Sequence, residues 1–256
     1  MGKVHSLVAC VAFCVACADV APTTGRGEGP LVYGADDRRD WYEVTDATLR
    51  ALATSTAGLF SNSAVTLRTD GKYQVSTGTT LATSQRVCST EPYRTQPTPA
   101  FCSGFLAAPD LFVTAGHCVT SSTQCASTTI AFGFRMDDAS TVRSVLDAQD
   151  VYRCAAIVGR VQTTTDDWAV LRLDRAVTGR TPLPIRRTGA VSLGDPLVVI
   201  GHPSGLPQKI AGGATVRSIT AANYFEANLD TYGGNSGSPV FNALTGEVEG
   251  VLVRGN

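Results

Sequence analysis

The sequence predicts an all-β fold, a barrel or sandwich of many short strands. Three observations carry this. Brief apolar runs recur between residues 64 and 253, each too short for a stable helix. Turn signals such as Asp70-Gly71, Gly201-His-Pro-Ser-Gly205 and Thr245-Gly246 separate them. Helical spacing is confined to Trp41–Ala57, where Val44, Leu49, Leu52 and Ala53 fall near a 3.6-residue period. No repeat of fixed period is visible.

Taken in order, the chain begins like an export signal. Lys3 precedes an apolar run from Ser6 to Cys17, and Ala16-Cys17-Ala18 fits a small-residue cleavage site. The run is short of the ~20 residues that a bilayer span needs. A short buried helix and a lipoprotein acylated at Cys17 are the alternative readings. Residues 1–18 are thus expected to be a signal peptide and the protein exported, whether secreted, periplasmic or an outer-surface lipoprotein. Residues 19–30 are rich in Gly, Pro and Thr and read as a linker or propeptide. After the helical stretch, strands are expected at Ala64–Leu67, Phe105-Leu106, Leu111–Val113, Thr129–Phe132, Ala155–Val158, Ala169–Leu171, Pro196–Ile200 and Glu247–Val253.

With 256 residues, 43% hydrophobic and 17% charged, the chain can bury a sizeable core. Its net charge of −1 gives no electrostatic case for nucleic acid. Cys10, Cys14 and Cys17 fall in the signal segment, which leaves Cys88, Cys102, Cys118, Cys125 and Cys154. An odd number in an exported protein implies one unpaired thiol or a missing partner. No set of cysteines and histidines has zinc-site spacing, so no metal or other cofactor is expected.

The chemistry concentrates in three segments. Gly234-Asn-Ser-Gly-Ser-Pro-Val240 places Ser236 in a glycine-rich turn between apolar runs. Val113-Thr-Ala-Gly-His117-Cys118 offers one of only three histidines, and His202, in a Gly-His-Pro turn, reads as structural. Asp166 and Asp167 precede the strand Trp168–Leu173, and Asp167 stands at its mouth, with Asp166 as the alternative. A serine hydroxyl needs an adjacent base to attack at neutral pH. An imidazole can take that proton and return it to the leaving amine, and a carboxylate fixes the imidazole tautomer. These roles go to Ser236, His117 and Asp167, with the N–H groups of Gly234 and Ser236 as oxyanion donors. An α/β-hydrolase would have its histidine after the serine, and no histidine follows Ser236.

With this order of His, Asp and Ser, the chain resembles the trypsin-like serine proteases, and within them the bacterial glutamyl endopeptidase branch. The likeness rests on Val32–Arg38, Phe101–Cys118, Asp167–Leu173 and Leu229–Phe241, and spans roughly residues 31–256. It implies a protease domain of two six-stranded antiparallel β-barrels of the chymotrypsin type, the first at about 57–150 and the second at about 151–256. It also implies a Cys102–Cys118 disulfide that ties the histidine loop to the preceding strand. Cys125–Cys154 would then bracket one hairpin region, leaving Cys88 without a partner.

The sequence departs from the family pattern in three ways: the residue before the nucleophile, the specificity pocket, and the point at which the chain stops. Asn235 precedes the nucleophile where trypsin-like zymogens carry an aspartate. Thr231 matches the glutamyl-branch pocket threonine, but Leu252 replaces its pocket histidine. Asp230 stands where trypsin selects basic side chains, but glutamyl-branch sequences that share Asp-Thr-Tyr-Gly-Gly leave it open whether this aspartate faces the pocket; Arg254 could pair with it or with an acidic substrate. The preferred side chain is therefore left open between these readings. The family fold also continues beyond the strand at which this chain stops, so the second barrel is expected to lack its last strand and C-terminal helix. The expected activity is that of an exported, monomeric serine endopeptidase with a protein or peptide substrate and an acyl-enzyme intermediate. The alternative is a catalytically inactive protease-like binding protein.

Overall fold

The computed structural model describes residues 34–219 and 223–255. The signal, lipid-anchor and linker readings at residues 1–30 lie outside the described residues. No described helix is long and apolar enough to cross a membrane.

The first half contains β1 (Arg38–Asp40), α1 (Ala47–Thr54), β2 (Thr56–Ser61), β3 (Val65–Leu67), β4 (Tyr73–Val75) and α2 (Leu81–Gln85). Then follow β5 (Cys102–Ala108), β6 (Leu111–Thr114), α3 (Ser122–Ala126), β7 (Thr128–Phe132), β8 (Val145–Leu146), β9 (Val151–Gln162) and β10 (Asp167–Leu173). The second half contains β11 (Pro196–Gly201), β12 (Lys209–Ser218), β13 (Glu226–Ala227), β14 (Pro239–Asn242) and β15 (Val248–Val251). The helix expected in 41–57 is α1. Asp46 starts it by accepting the Thr48 and Leu49 N–H groups, a cap typically worth ~1 kcal/mol.

Strands β10, β6, β5, β2, β7 and β9 close, in that order, into a six-stranded antiparallel barrel. Leu59, Leu106, Phe112, Ile130, Phe132 and Leu171 fill it. Closure removes the unpaired edges that an open sheet would expose. The barrel reaches Leu173, which corrects the boundary expected near residue 150. Strand β9 is the reason: its start pairs with β7 and the rest pairs with β10, so neither later strand can belong to the second half.

The second sheet runs β1-β12-β11-β14-β15, with β13 on β12, and it is not closed among the described residues. Alternation along β11 buries both of its faces. Leu197 and Val199 pack with Ala211, Val216 and Val240. Val198 and Ile200 pack with Ile210, Phe241, Val248, Phe105 from the first barrel and Ala53 from α1. Helix α1 and the β5 side chain thus join the two halves.

Cys102–Cys118 and Cys125–Cys154 are disulfides. Cys88 is also disulfide-bonded, which corrects its reading as the cysteine without a partner.

Candidate active site

The strand register brings His117 and Asp167 together. Strands β6 and β10 are antiparallel, with Thr114 opposite Ala169. His117 leaves the end of β6 just as Asp167 enters β10. Gly116 permits the approach, since a Cβ there would collide with the Val161 carbonyl oxygen and crowd Asp167. One carboxylate oxygen of Asp167 accepts the His117 backbone N–H at 2.9 Å. The other lies 2.7 Å from Nδ1 of the imidazole. An ionised carboxylate only accepts, so this contact calls for the proton on Nδ1 and leaves Nε2 as the basic nitrogen. The Asp167 side chain is 9% exposed and that of His117 33%, so the carboxylate is sheltered while the imidazole is reachable. Asp166 instead accepts a bond from the Thr165 hydroxyl at 2.9 Å. Its carboxyl is held below the usual carboxylate range by hydrogen bonds from Asn223 and Thr165.

Ser236 lies in the loop between β13 and β14, and that loop is docked on the first barrel. Its carbonyl accepts the Ser103 N–H at 2.8 Å and lies 3.7 Å from the Cys118 sulfur. Gly237 has φ +89°, and a Cβ there would strike the Ser103 carbonyl and the Thr114 hydroxyl. The Ser103 hydroxyl donates to the Gly234 carbonyl at 3.1 Å and accepts the His202 N–H at 2.8 Å. Sequence reading missed Ser103, although it stands in the Phe-Cys-Ser-Gly segment that carries the family likeness. Beneath the loop, buried Asn235 accepts from the Ser238 hydroxyl at 2.8 Å and donates to Thr231 at 2.6 Å. The Asn235 amide is therefore used inside the turn.

Among the described residues, neither the Gly234 N–H nor the Ser236 N–H donates to a protein acceptor. The Ser236 hydroxyl makes no hydrogen bond to His117 among the described residues. Such bonds often tighten only when substrate binds.

His202 is buried, stacked on Phe134 at 6.1 Å, and joined through Nδ1 to the Leu206 carbonyl at 2.9 Å. Burial lowers its pKa to about 4, so it is neutral scaffolding at neutral pH. Cys102, His117 and Cys118 bring potential ligand atoms within 4.8 Å of one another. The two sulfurs are bonded together, which leaves no thiolate for a metal.

The expected pocket residues lie in the loop between β13 and β14 and in the chain just after β15. Leu252 is hydrogen-bonded beside the nucleophile, its carbonyl to the Gly237 N–H at 2.7 Å and its N–H to the Ser238 carbonyl at 2.9 Å. Its side chain packs against the apolar cluster that contains Leu229 and Val240. Thr231 is buried and bonded to Asn235, and Arg254 is exposed. Asp230 is buried and accepts the Asp37 N–H at 2.7 Å.

Residues 102–251 match the trypsin-like peptidase domain. A curated relative, the secreted RxLR effector protein 73 of Plasmopara viticola, is 29% identical over 157 residues, which cover 55% of this chain and 38% of the relative. The chain thus spans well under half the length of that relative. A solved Glu endopeptidase has a TM-score of 0.53 at 18% identity, with 88% of each chain covered. The serine endoprotease from Yersinia pestis has a TM-score of 0.52 at 17% identity, covering 83% of this chain and 59% of that one. The VesB protease of Vibrio cholerae has a TM-score of 0.54 at 15% identity, covering 86% and 60%. At these identities the solved structures establish the fold, which is that of the chymotrypsin-type serine proteases. With the domain match covering more than half of its length, this chain belongs to the trypsin-like peptidase family.

Proposed function

We propose that the protein is an exported serine endopeptidase that cleaves peptide bonds through an acyl-enzyme. The observation that carries this reading is the His117–Asp167 pair at 2.7 Å, on a barrel against which the Ser236 loop is docked. In this reading Nε2 of His117 takes the Ser236 proton as Oγ attacks the scissile carbonyl. The oxyanion is held by the N–H groups of Gly234 and Ser236. His117 then returns the proton to the leaving amine, and water repeats the cycle on the ester. Asp167 steadies the imidazolium throughout. In this reading an extended substrate pairs with a strand edge beside the site. Disulfides and the name of the secreted relative support export.

The test is labelling with a fluorescent fluorophosphonate, beside Ser236→Ala. Label on the parent alone, with peptide turnover that falls ~10⁶-fold in the variant, is the expected result. The second reading is an inactive protease-like binding protein. It is favoured by the missing Ser236–His117 hydrogen bond. It predicts no label on either protein and peptide binding that survives Ser236→Ala.

A further inference from the structure

Strand β1 is bound to the nucleophile loop by a polar network that the catalytic reading leaves unexplained. Arg38, Arg39 and Asp40 pair with Ala211, Ile210 and Lys209 of β12. Just before β1, the Asp37 N–H donates to the buried Asp230 carboxylate at 2.7 Å. The Asp37 side chain lies over Gly213, where a Cβ would collide with it. Arg38 is 4% exposed, and its guanidinium sits 4.6 Å from the Tyr232 ring and 5.3 Å from the Tyr93 ring. Asp36, at 2.6 Å, and Glu91, at 3.2 Å, neutralise it. Behind it, the buried Lys209 ammonium bonds Asp40 and the Gln96 side chain.

Asp230 and Tyr232 stand six and four residues before Ser236. Two successive residues of the N-terminal segment therefore grip the same short loop, one by a charge-assisted hydrogen bond and one by a cation–π contact. A carboxylate engaged in this way is part of the loop's support.

We propose that Asp230 is a positioning residue that fastens the 36–40 segment to the nucleophile loop, and not a selector of basic side chains. The proposal rests on the protease reading for its kinetic consequence only. Arg38 is the second fastening, through Tyr232. The oxyanion donors at Gly234 and Ser236 lie immediately beyond the fastened residues. Letting the loop shift by about 1 Å is expected to cost ~10²-fold in turnover, whatever side chain the substrate presents.

Two substitutions separate the roles. Asp230→Asn removes the charge but keeps an oxygen that can accept the Asp37 N–H. Asp230→Ala removes both. Matched peptides carrying Arg, Lys, Glu or Leu before the cleaved bond would be compared for kcat/KM. The expected result is a uniform ~10²-fold loss for Asp230→Ala and near-parent rates for Asp230→Asn. Loss confined to Arg and Lys peptides in both variants would overturn the proposal. Amide hydrogen exchange in a Ser236→Ala background reads the fastening without any activity. Exchange in 229–238 and 36–40 should rise together in Asp230→Ala and stay low in Asp230→Asn. Unchanged exchange in Asp230→Ala would overturn the proposal even if the parent proved to be an enzyme. If the parent turns over no peptide, the protease reading fails and exchange alone decides. Should Asp230→Ala not fold, Arg38→Met serves instead. It should raise exchange across 229–236, and an unchanged loop would count against the fastening.

Discussion

The two halves of the molecule are held together by different means. The first is a closed barrel with an apolar interior and both disulfides whose two cysteines are described. The second is an open sheet among the described residues, completed on one edge by three residues from the N-terminal side and supported by buried charges. The candidate site divides along the same line. His117 and Asp167 are fixed by one ladder within the closed barrel, and their contact is already made. Ser236 belongs to the second half, and its loop docks on the first barrel at Ser103 and Thr114. The His117–Asp167 contact is thus a product of local strand register, and the position of the Ser236 loop is a product of inter-half packing.

The sharpest way to break that contrast is to replace each of the two adjacent aspartates. Asp167→Asn would present an amide to Nδ1, which favours the wrong imidazole tautomer. Turnover should fall by ~10⁴-fold while binding of peptide changes little. Asp166→Asn keeps an oxygen that can accept the exposed Thr165 hydroxyl and should leave turnover near that of the parent. Steady-state kinetics on one peptide substrate check both. Equal losses in the two variants would mean that the register contact is not what orients the base.

Much of this site was legible in the sequence, because catalysis compresses its demands into short contiguous motifs. Thr-Ala-Gly-His-Cys contains the histidine that meets Asp167, the glycine that lets Asp167 approach, and half of a disulfide. The adjacency of Asp167 to a strand singled it out over Asp166 for a physical reason, since the strand mouth is where a β6–β10 register can place a carboxylate. Other features were hidden because they depend on distant partners. Strand β1 is only three residues long and acquires its meaning from β12, some 170 positions away. Strand β12 itself, Lys209–Ser218, carries Gly212 and Gly213 in its middle, which weakens any strand signal. The division between halves was misplaced because a long run such as β9 does not announce that it serves two neighbours. Asp230 illustrates the limit best. Its spacing from Ser236 invites a selector role, and only the fold reveals the Asp37 N–H at its carboxylate.

The next largest effect should separate the halves by stability. The Cys102–Cys118 bridge joins β5 to the histidine loop, and its sulfur lies against the Ser236 carbonyl. Replacing both cysteines by alanine should cost ~2–4 kcal/mol in denaturant unfolding. Activity measured below the transition should fall further than for the corresponding loss of Cys125–Cys154, which lies between α3 and β9, away from the nucleophile. Equal activity losses at equal stability would show that the bridge braces the barrel without holding the loop.

The smallest expected effect is one of pH, and it probes the seam between the halves. His202 sits under the nucleophile loop, with Phe60 and Phe134 against its ring and Ser103 bonded to its backbone. Burial, with Lys209 adding a repulsive charge, lowers its folded pKa to about 4 from an ordinary 6.5, while the Leu206 carbonyl opposes the shift. Between those values the unfolded chain binds a proton that the folded chain refuses. Stability is therefore complete above about pH 6.5 and is lost as pH falls toward 4, by up to about 3 kcal/mol from this group. Urea unfolding at steps of pH should display that slope. His202→Asn keeps a donor for the Leu206 carbonyl and removes the titration, so its stability should be lower at neutral pH but flatter from 6.5 to 4. Because the imidazole lies beneath the loop, its protonation should loosen the docking of Ser236 on Ser103. Acid should then suppress fluorophosphonate labelling in the parent more steeply than in His202→Asn, and an equally steep loss in both would show that His202 does not govern the loop.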